Sequence, residues 1–419
     1  MSASTERKNR QAARSEGTYK KDIAAQKEAA KRRKDNIKWT VIGVVIVLFF
    51  AFVIYLNSGA LYRSLDALTV SNSEVSVDGT TIAADSRSFS VAEVNYLYNM
   101  QYVNILNTYG DYISMLGLDP TKPLDEQACS MSPEGEEDYT WDDYFMDSAK
   151  AQLTQLAVFE AYAEANGITL DDEDMAQIEE TIDSIATTAK ENNYGSANKF
   201  LTANYGKGCN ESVVRSIMEL QFIASKVQDS ISGAPEYTAD ELAAKYETVK
   251  DDYDKFTYSY YQVNAATETN EDGTTAAPTD EAKAAASATA NEIFAAMSKG
   301  SSLADAAAAA VEGAEVTEKA DVSGSSVESA LSEWIKSADR AEGDKAVIDG
   351  DTASYVVVFT SRNNNQAPTE ESGDMNYCDY VADQLLRGEV LDKWGEDVFN
   401  VIAEAYESET HWAVRYVGR

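Results

Sequence analysis

The hydrophobic pattern changes character twice along the chain. Trp39–Leu56 is a run of eighteen uncharged residues, WTVIGVVIVLFFAFVIYL. As a helix it would span roughly 27 Å, close to the roughly 30 Å of hydrocarbon in a bilayer. Beyond it, Leu68–Ala84 alternates apolar and polar positions around Asp78-Gly79, a favoured tight-turn pair, and predicts a hairpin. Ser90-Val91-Ala92-Glu93 is a capping box, and Val91, Val94, Tyr98, Tyr102, Ile105, Tyr109, Tyr112 and Leu116 then recur at helical spacing. A proline-containing loop follows. Thr140 caps a second helix, whose Phe145, Ala149, Leu153, Leu156 and Phe159 share a face, and Asn166-Gly167 stops it. Asp171–Asp174 opens a third helix, 196–204 is a short one, and Asn210 caps a fifth along Val213, Ile217, Leu220, Ala224, Val227 and Ile231. Thr238-Ala239-Asp240-Glu241 is another capping box, leading through Leu242, Tyr246 and Val249.

The period then shifts. Lys255–Val263 (KFTYSYYQV) alternates and is rich in β-formers, so it predicts a strand. Alanine-rich helices are expected at 280–299 and 302–311, and a third at 327–338. Ala346–Ile348 and Ser354–Thr360 flank Asp349-Gly350-Asp351 as a hairpin. A polar linker at 363–373 precedes a long helix, 377–406, with Val381, Leu385, Trp394, Val398 and Ile402 on one stripe. His411–Val417 alternates like a strand. The fold class is α+β: an N-terminal transmembrane helix, a mainly helical domain completed by a C-terminal helix, and an inserted β-α-α-α-β-β domain. The expected boundaries are 1–38 for a basic tail, 39–56 for the membrane helix, 64–253 for the first helical part, 254–364 for the insert and 374–419 for the returning helix.

Charge sets the topology. The first 38 residues hold twelve Lys/Arg against five Asp/Glu, and the remaining 381 hold 23 against 66. Lys31, Arg32, Arg33, Lys34 and Lys38 crowd one end of the apolar run while Arg63 alone follows closely, which places the N-terminus in the cytoplasm and the acidic mass outside. A cleaved signal, ending near Asn57-Ser58-Gly59-Ala60, is the competing reading. So acidic a domain repels phosphates and excludes nucleic acid as a partner.

Side-chain chemistry is sparse. The one histidine, His411, is expected on an exposed tail, and no zinc, EF-hand or phosphate-loop spacing occurs, so no metal or small-molecule cofactor is expected. Cys129, Cys209 and Cys378 are not a disulfide scaffold; Cys129–Cys209 is the pair to test against three buried thiols. The 24 tyrosines offer amphipathic surface suited to unfolded segments, although the Tyr98–Tyr112 stripe reads first as core.

Three stretches are similar to the SurA/PrsA-type exported foldases. These are Val77-Asp78-Gly79 running into Ser90–Tyr98, then Tyr237–Leu242 with Tyr246 and Phe256, and then Ala282–Ala310 with Trp334-Ile335, Glu342-Gly343-Asp344 and Ser354–Phe359. The resemblance implies a helical chaperone domain and a parvulin-like (PpiC-type) prolyl isomerase domain, with unfolded or newly exported polypeptides as partners. It also implies a peptide-binding set at Tyr258, Tyr260, Tyr261, Trp334, Tyr355, Val357 and Phe359. Active parvulins carry a histidine on the first strand and another on the last. The matching places, Ser259–Tyr261 and Val356, hold none, so no catalytic residue is assigned. Three functions stay open: a membrane-anchored chaperone with weak or absent isomerase activity, an active isomerase with a divergent site, and an envelope scaffold for one fixed partner.

Overall fold

The computed structural model describes residues 4–9, 11, 12, 38, 40–55, 57–134, 136, 138–268, 275–364 and 366–418. Most of the basic tail lies outside these residues, as do both ends of the apolar run, Trp39 and Leu56. Residues 40–55 form helix α1 and are almost wholly exposed. Among the described residues, no helix is long and apolar enough to cross a membrane. The chain is α+β and divides into two units, 1–230 with 394–419, and 231–393.

In the first unit, a short helix α2 (Ala60–Ser64) leads to strand β1 (Asp66–Asn72), a hairpin of β2 (Val75–Val77) and β3 (Thr80–Ile82), and β4 (Asp85–Ser90). The hairpin turns at Asp78-Gly79, both with positive φ, as the sequence predicts. Helix α3 (Val91–Tyr109) starts at the Ser90–Glu93 capping box, in which the Ser90 amide donates to the Glu93 carboxylate at 2.8 Å. Val91, Val94, Tyr98, Tyr102 and Ile105 are buried, but the stripe ends there: 110–116 tightens into a 3₁₀ turn and leaves Tyr109 and Tyr112 exposed. Helix α4 (Trp141–Asn166) packs against α3 through the Phe145 ring, 5.6 Å from Tyr98 and 5.5 Å from Tyr102. Helices α5 (Asp172–Glu191), α6 (Ala197–Tyr205) and α7 (Glu211–Gly233) complete the helical layer.

The second unit begins with α8 (Ala239–Tyr253), capped by Thr238 and Glu241. Strand β5 (Lys255–Asn264) is followed by α9 (Asp280–Met297), α10 (Leu303–Ala310), β6 (Thr317–Ser323), a short α11 (Ser332–Lys336), and the hairpin β7 (Lys345–Asp349) and β8 (Ala353–Asn363). The sheet is antiparallel in the order β6-β5-β8-β7. The insert is thus β-α-α-β-α-β-β, with a strand where β-α-α-α-β-β has none. Strand β6 (TEKADVS) offers few β-formers because it lies at an edge and keeps a mostly solvated surface. The helix expected at 327–338 is reduced to one 3₁₀ turn (Ser329–Leu331) and α11.

The long C-terminal helix is also interrupted. Helix α12 (Tyr377–Trp394) passes into a π-helical turn at Gly395–Phe399 and then α13 (Asn400–Ala403). Its apolar stripe is shared out. Cys378, Val381 and Ala382 bury with Leu242 and Tyr246 of α8 in the second unit. Val398 and Ile402 bury with Ile82 and Val158 in the first, where Trp394 stacks on Phe159 at 5.9 Å. The alternation expected at 411–417 lies earlier, in β9 (Tyr406–Thr410), which pairs antiparallel with β1. His411 is no loose tail: its amide donates to the Ala67 carbonyl at 2.9 Å and its Nε2 lies 2.7 Å from Thr69 Oγ1.

The cysteines are three buried free thiols, so Cys129 and Cys209 are not bridged. The Cys209 Sγ instead donates to the carbonyls of Tyr205 (2.9 Å) and Ala92 (3.3 Å), positions fixed by the packing of α6 on α3.

Candidate functional site

The residues singled out for peptide binding lie in the second unit on both sides of one sheet. Register pairs Ser259 with Val358, Tyr260 with Val357 and Tyr261 with Val356. Strand alternation then sends neighbouring side chains to opposite faces. Tyr258 and Tyr260, two apart on β5, share the face that also carries Tyr355, Val357 and Phe359. These five are buried, packed under Val327, Leu331 and Ile335 from the 3₁₀ turns and α11. Tyr258 accepts a hydrogen bond on its hydroxyl from the Glu328 amide at 3.1 Å, and burial pushes its pKa up. Trp334 sits half-buried at the margin with the Arg340 guanidinium 4.6 Å from its ring. Tyr261 is alone of the set on the opposite face, among Val356, Ile293 and Ala307 of the α9–α10 core. This face of the sheet is filled by the protein's own side chains.

An open apolar groove occurs elsewhere, in the first unit. Its construction begins at the end of α4, where Gly167 caps the helix with φ 70° and the Ile168 amide returns to the Ala163 carbonyl at 2.9 Å. The next three residues, outside any helix or strand, lead to Asp171, which caps α5 by accepting from the Glu173 and Asp174 amides. Lys226 of α7 donates to Asp171 at 2.6 Å and to Asp174 at 2.5 Å, fastening this segment across α7. The lysine holds the exposed Asp171 carboxyl down at about 2. Between the fastened segment and α7 lies a cavity of about 290 Å³.

Ala163, Ile168, Leu170, Leu220 and Ile223 supply the cavity's apolar lining; Arg87, Glu160, Glu164, Ser216 and Glu219 supply its polar rim. Leu220 is buried, while Ile168, Leu170 and Ile223 are half-buried and present part of their surface to the opening. Arg87 pairs with Glu160 and lies 5.2 Å over the Phe89 ring, which fixes the charged end. Ser216 Oγ donates to Glu93 at 3.0 Å. Such a site can take apolar side chains from a partner while neighbouring carboxylates and the arginine meet polar groups. Among the described residues, no group of three or more His, Cys, Asp or Glu could hold a metal. Periodicity could not find it, because Ile168 and Leu170 lie between helices. The available signal was two apolar residues flanking Thr169 just after a helix stop.

No protein-family model matches this chain, and no curated protein matches it in sequence. Solved structures similar to it are SurA-like and PrsA proteins. A SurA-like chaperone of Campylobacter jejuni is 11% identical, with 84% of this chain and 100% of that one covered and a TM-score of 0.23. The peptidylprolyl isomerase PrsA of Bacillus cereus is 12% identical over 63% and 85% of the two chains, at a TM-score of 0.31. The foldase PrsA of Lactococcus lactis is 14% identical over 85% and 100%, at 0.25. The likeness is to SurA-like chaperones and PrsA foldases, at identities and TM-scores too low to carry residue roles across.

Proposed function

We propose that this chain is a membrane-anchored, extracytoplasmic chaperone that holds unfolded polypeptides, and that the groove between 168–170 and α7 is a client site. The observation that carries the reading is the groove itself: apolar lining, charged rim and open mouth. At about 290 Å³ it falls just below the roughly 300–1,000 Å³ range for ligand sites. That suits one or two client side chains better than a folded partner. Burying such a side chain contributes about 1.5–3 kcal/mol, so single contacts are weak and reversible, as a holding function requires.

The uncharged run Trp39–Leu56 and the basic residues before it support anchoring with the N-terminus inside. Isomerase turnover is weak or absent in this reading. The strand places that carry histidine in parvulins hold none here, and the tyrosines beside them are packed in core.

The test uses the full chain and a permanently unfolded, carboxymethylated protein as client. Leu170→Asp with Ile223→Asp should weaken binding by about a hundredfold, each lost apolar contact removing about 1.5 kcal/mol. Circular dichroism of the double variant should match the parent. Unchanged affinity in a folded double variant would remove the groove as client site.

A further inference from the structure

The segment after α1 is a joint rather than a loose tether. Tyr55 Oη lies 3.2 Å from Ser64 Oγ, and the Ser58 amide donates to the Ile54 carbonyl at 2.8 Å. Arg63 donates through one nitrogen to the Gly208 carbonyl at 3.0 Å and through another to the Ser58 carbonyl at 3.2 Å. Gly59 (φ 74°) and Gly208 (φ 92°) pass so closely that a Cβ on Gly59 would lie 2.9 Å from the Gly208 Cα. A Cβ on Gly208 would meet the Tyr62 Cβ at 2.7 Å. Both positions combine left-handed backbone with closed space, so only glycine fits. The end of the apolar helix is therefore fixed to the body of the first unit.

Beside this joint lies a cluster of aromatic rings and cations, in which Trp412 and Tyr416 are exposed and Tyr62 is half-buried. Tyr62 meets Tyr416 edge-on at 6.0 Å, and Lys207 Nζ stands 5.9 Å from the Tyr62 ring centre. The Arg415 guanidinium is shared between Trp412 (4.9 Å) and Tyr416 (5.1 Å). Trp412 is 61% exposed and Tyr416 39%. The chain beyond residue 38 holds 23 basic against 66 acidic side chains, so Arg63, Lys207 and Arg415 around these rings run against the charge of the whole. Amphipathic rings with lysine and arginine are the composition that collects at a membrane–water interface. Anionic headgroups would complement the charge.

We propose that Tyr62, Lys207, Trp412, Arg415 and Tyr416 form a foot that rests in the headgroup layer of the bilayer carrying α1, with anionic phospholipid as its ligand. The inference rests on the anchor reading above. It adds that the first unit is seated on the membrane surface beside its anchor instead of swinging from it.

Full-length protein in nanodiscs of brominated phosphatidylglycerol and phosphatidylcholine tests this through tryptophan emission. A Trp39→Phe background removes the residue at the edge of the apolar run. In that background, brominated lipid should quench Trp412, and adding Trp412→Phe should abolish the loss. Arg415→Gln, or nanodiscs of phosphatidylcholine alone, should reduce it. Protein that incorporates into nanodiscs yet is quenched equally with and without Trp412 overturns the foot while leaving the anchor intact. Equal quenching in both lipid compositions overturns the assignment to anionic headgroups. Protein with Trp39 intact that elutes apart from the nanodiscs overturns the anchor, and the foot with it.

Discussion

Cys209 illustrates what burial does to a single group. Packed between α6 and α3, its thiol is pushed up to about 12 from an ordinary 9.0, because the thiolate would lose its water there. Burial also raises the Cys129 and Cys378 thiols. The fold favours the neutral thiol, so this contribution to stability is complete below pH 9 and is lost as pH rises toward 12. Iodoacetamide at pH 8 should therefore leave all three cysteines of the native protein unmodified over hours, while denatured protein reacts fully. Fast labelling of native Cys209 would show that its site opens. The sequence left Cys129–Cys209 and three buried thiols as alternatives, since pairing depends on distances between elements that spacing does not encode. The same limit applies to His411, whose partners Thr69 and Ala67 are brought to it only by the pairing of β9 with β1.

At the scale of elements, one arginine fastens the second unit's helix α8 to its sheet. Arg362, near the end of β8, donates to Asp254 at 2.6 Å, to Asp251 at 2.7 Å and to the Lys336 carbonyl at 3.0 Å. Asp254 is only 3% exposed and also accepts from the Tyr246 hydroxyl at 2.8 Å. Gly324 completes the joint: it is buried against the end of α8, where an added Cβ would run into the Asp251 carbonyl. Arg362→Leu should destabilise the second unit by about 3–5 kcal/mol in urea titration, because it strands a buried carboxylate. Removing Asp251, which is exposed, should cost far less. Equal small losses from both substitutions would show that Asp254 finds another partner.

The capping boxes at Ser90, Thr140 and Thr238 were legible because each is settled within four residues. The Arg362 joint and the polar strand β6 were not. Both depend on partners far along the chain, such as Asp254 at 108 positions for Arg362 and Thr257 at 64 for Asp321. For the candidate site, the residues chosen by strand pattern were placed correctly on strands, but alternation alone does not say which face the chain itself will cover.

At the scale of the molecule, the compact second unit is 231–393, wider than the sheet and its helices. Helices α8 and α12 add a core of their own through Leu242, Tyr246, Val381 and Ala382. An excised 231–393 should unfold cooperatively at a higher temperature than 254–364, which lacks this core and Asp251. Equal melting temperatures would show that α8 and α12 add nothing to the sheet's stability. The sharing of the C-terminal stripe between two cores emerged only from packing.

Strand β9 has a consequence for synthesis. It closes the sheet of order β4-β1-β9, and its neighbour His411 meets Thr69 across 342 positions of chain. Residues 231–393 are continuous and come off the ribosome before β9, so they are free to fold first and shorten the loop that β9 must close. Until that strand arrives, β1 has one edge bare, and every nascent chain passes through an interval in which this protein itself offers an unpaired strand to its neighbours.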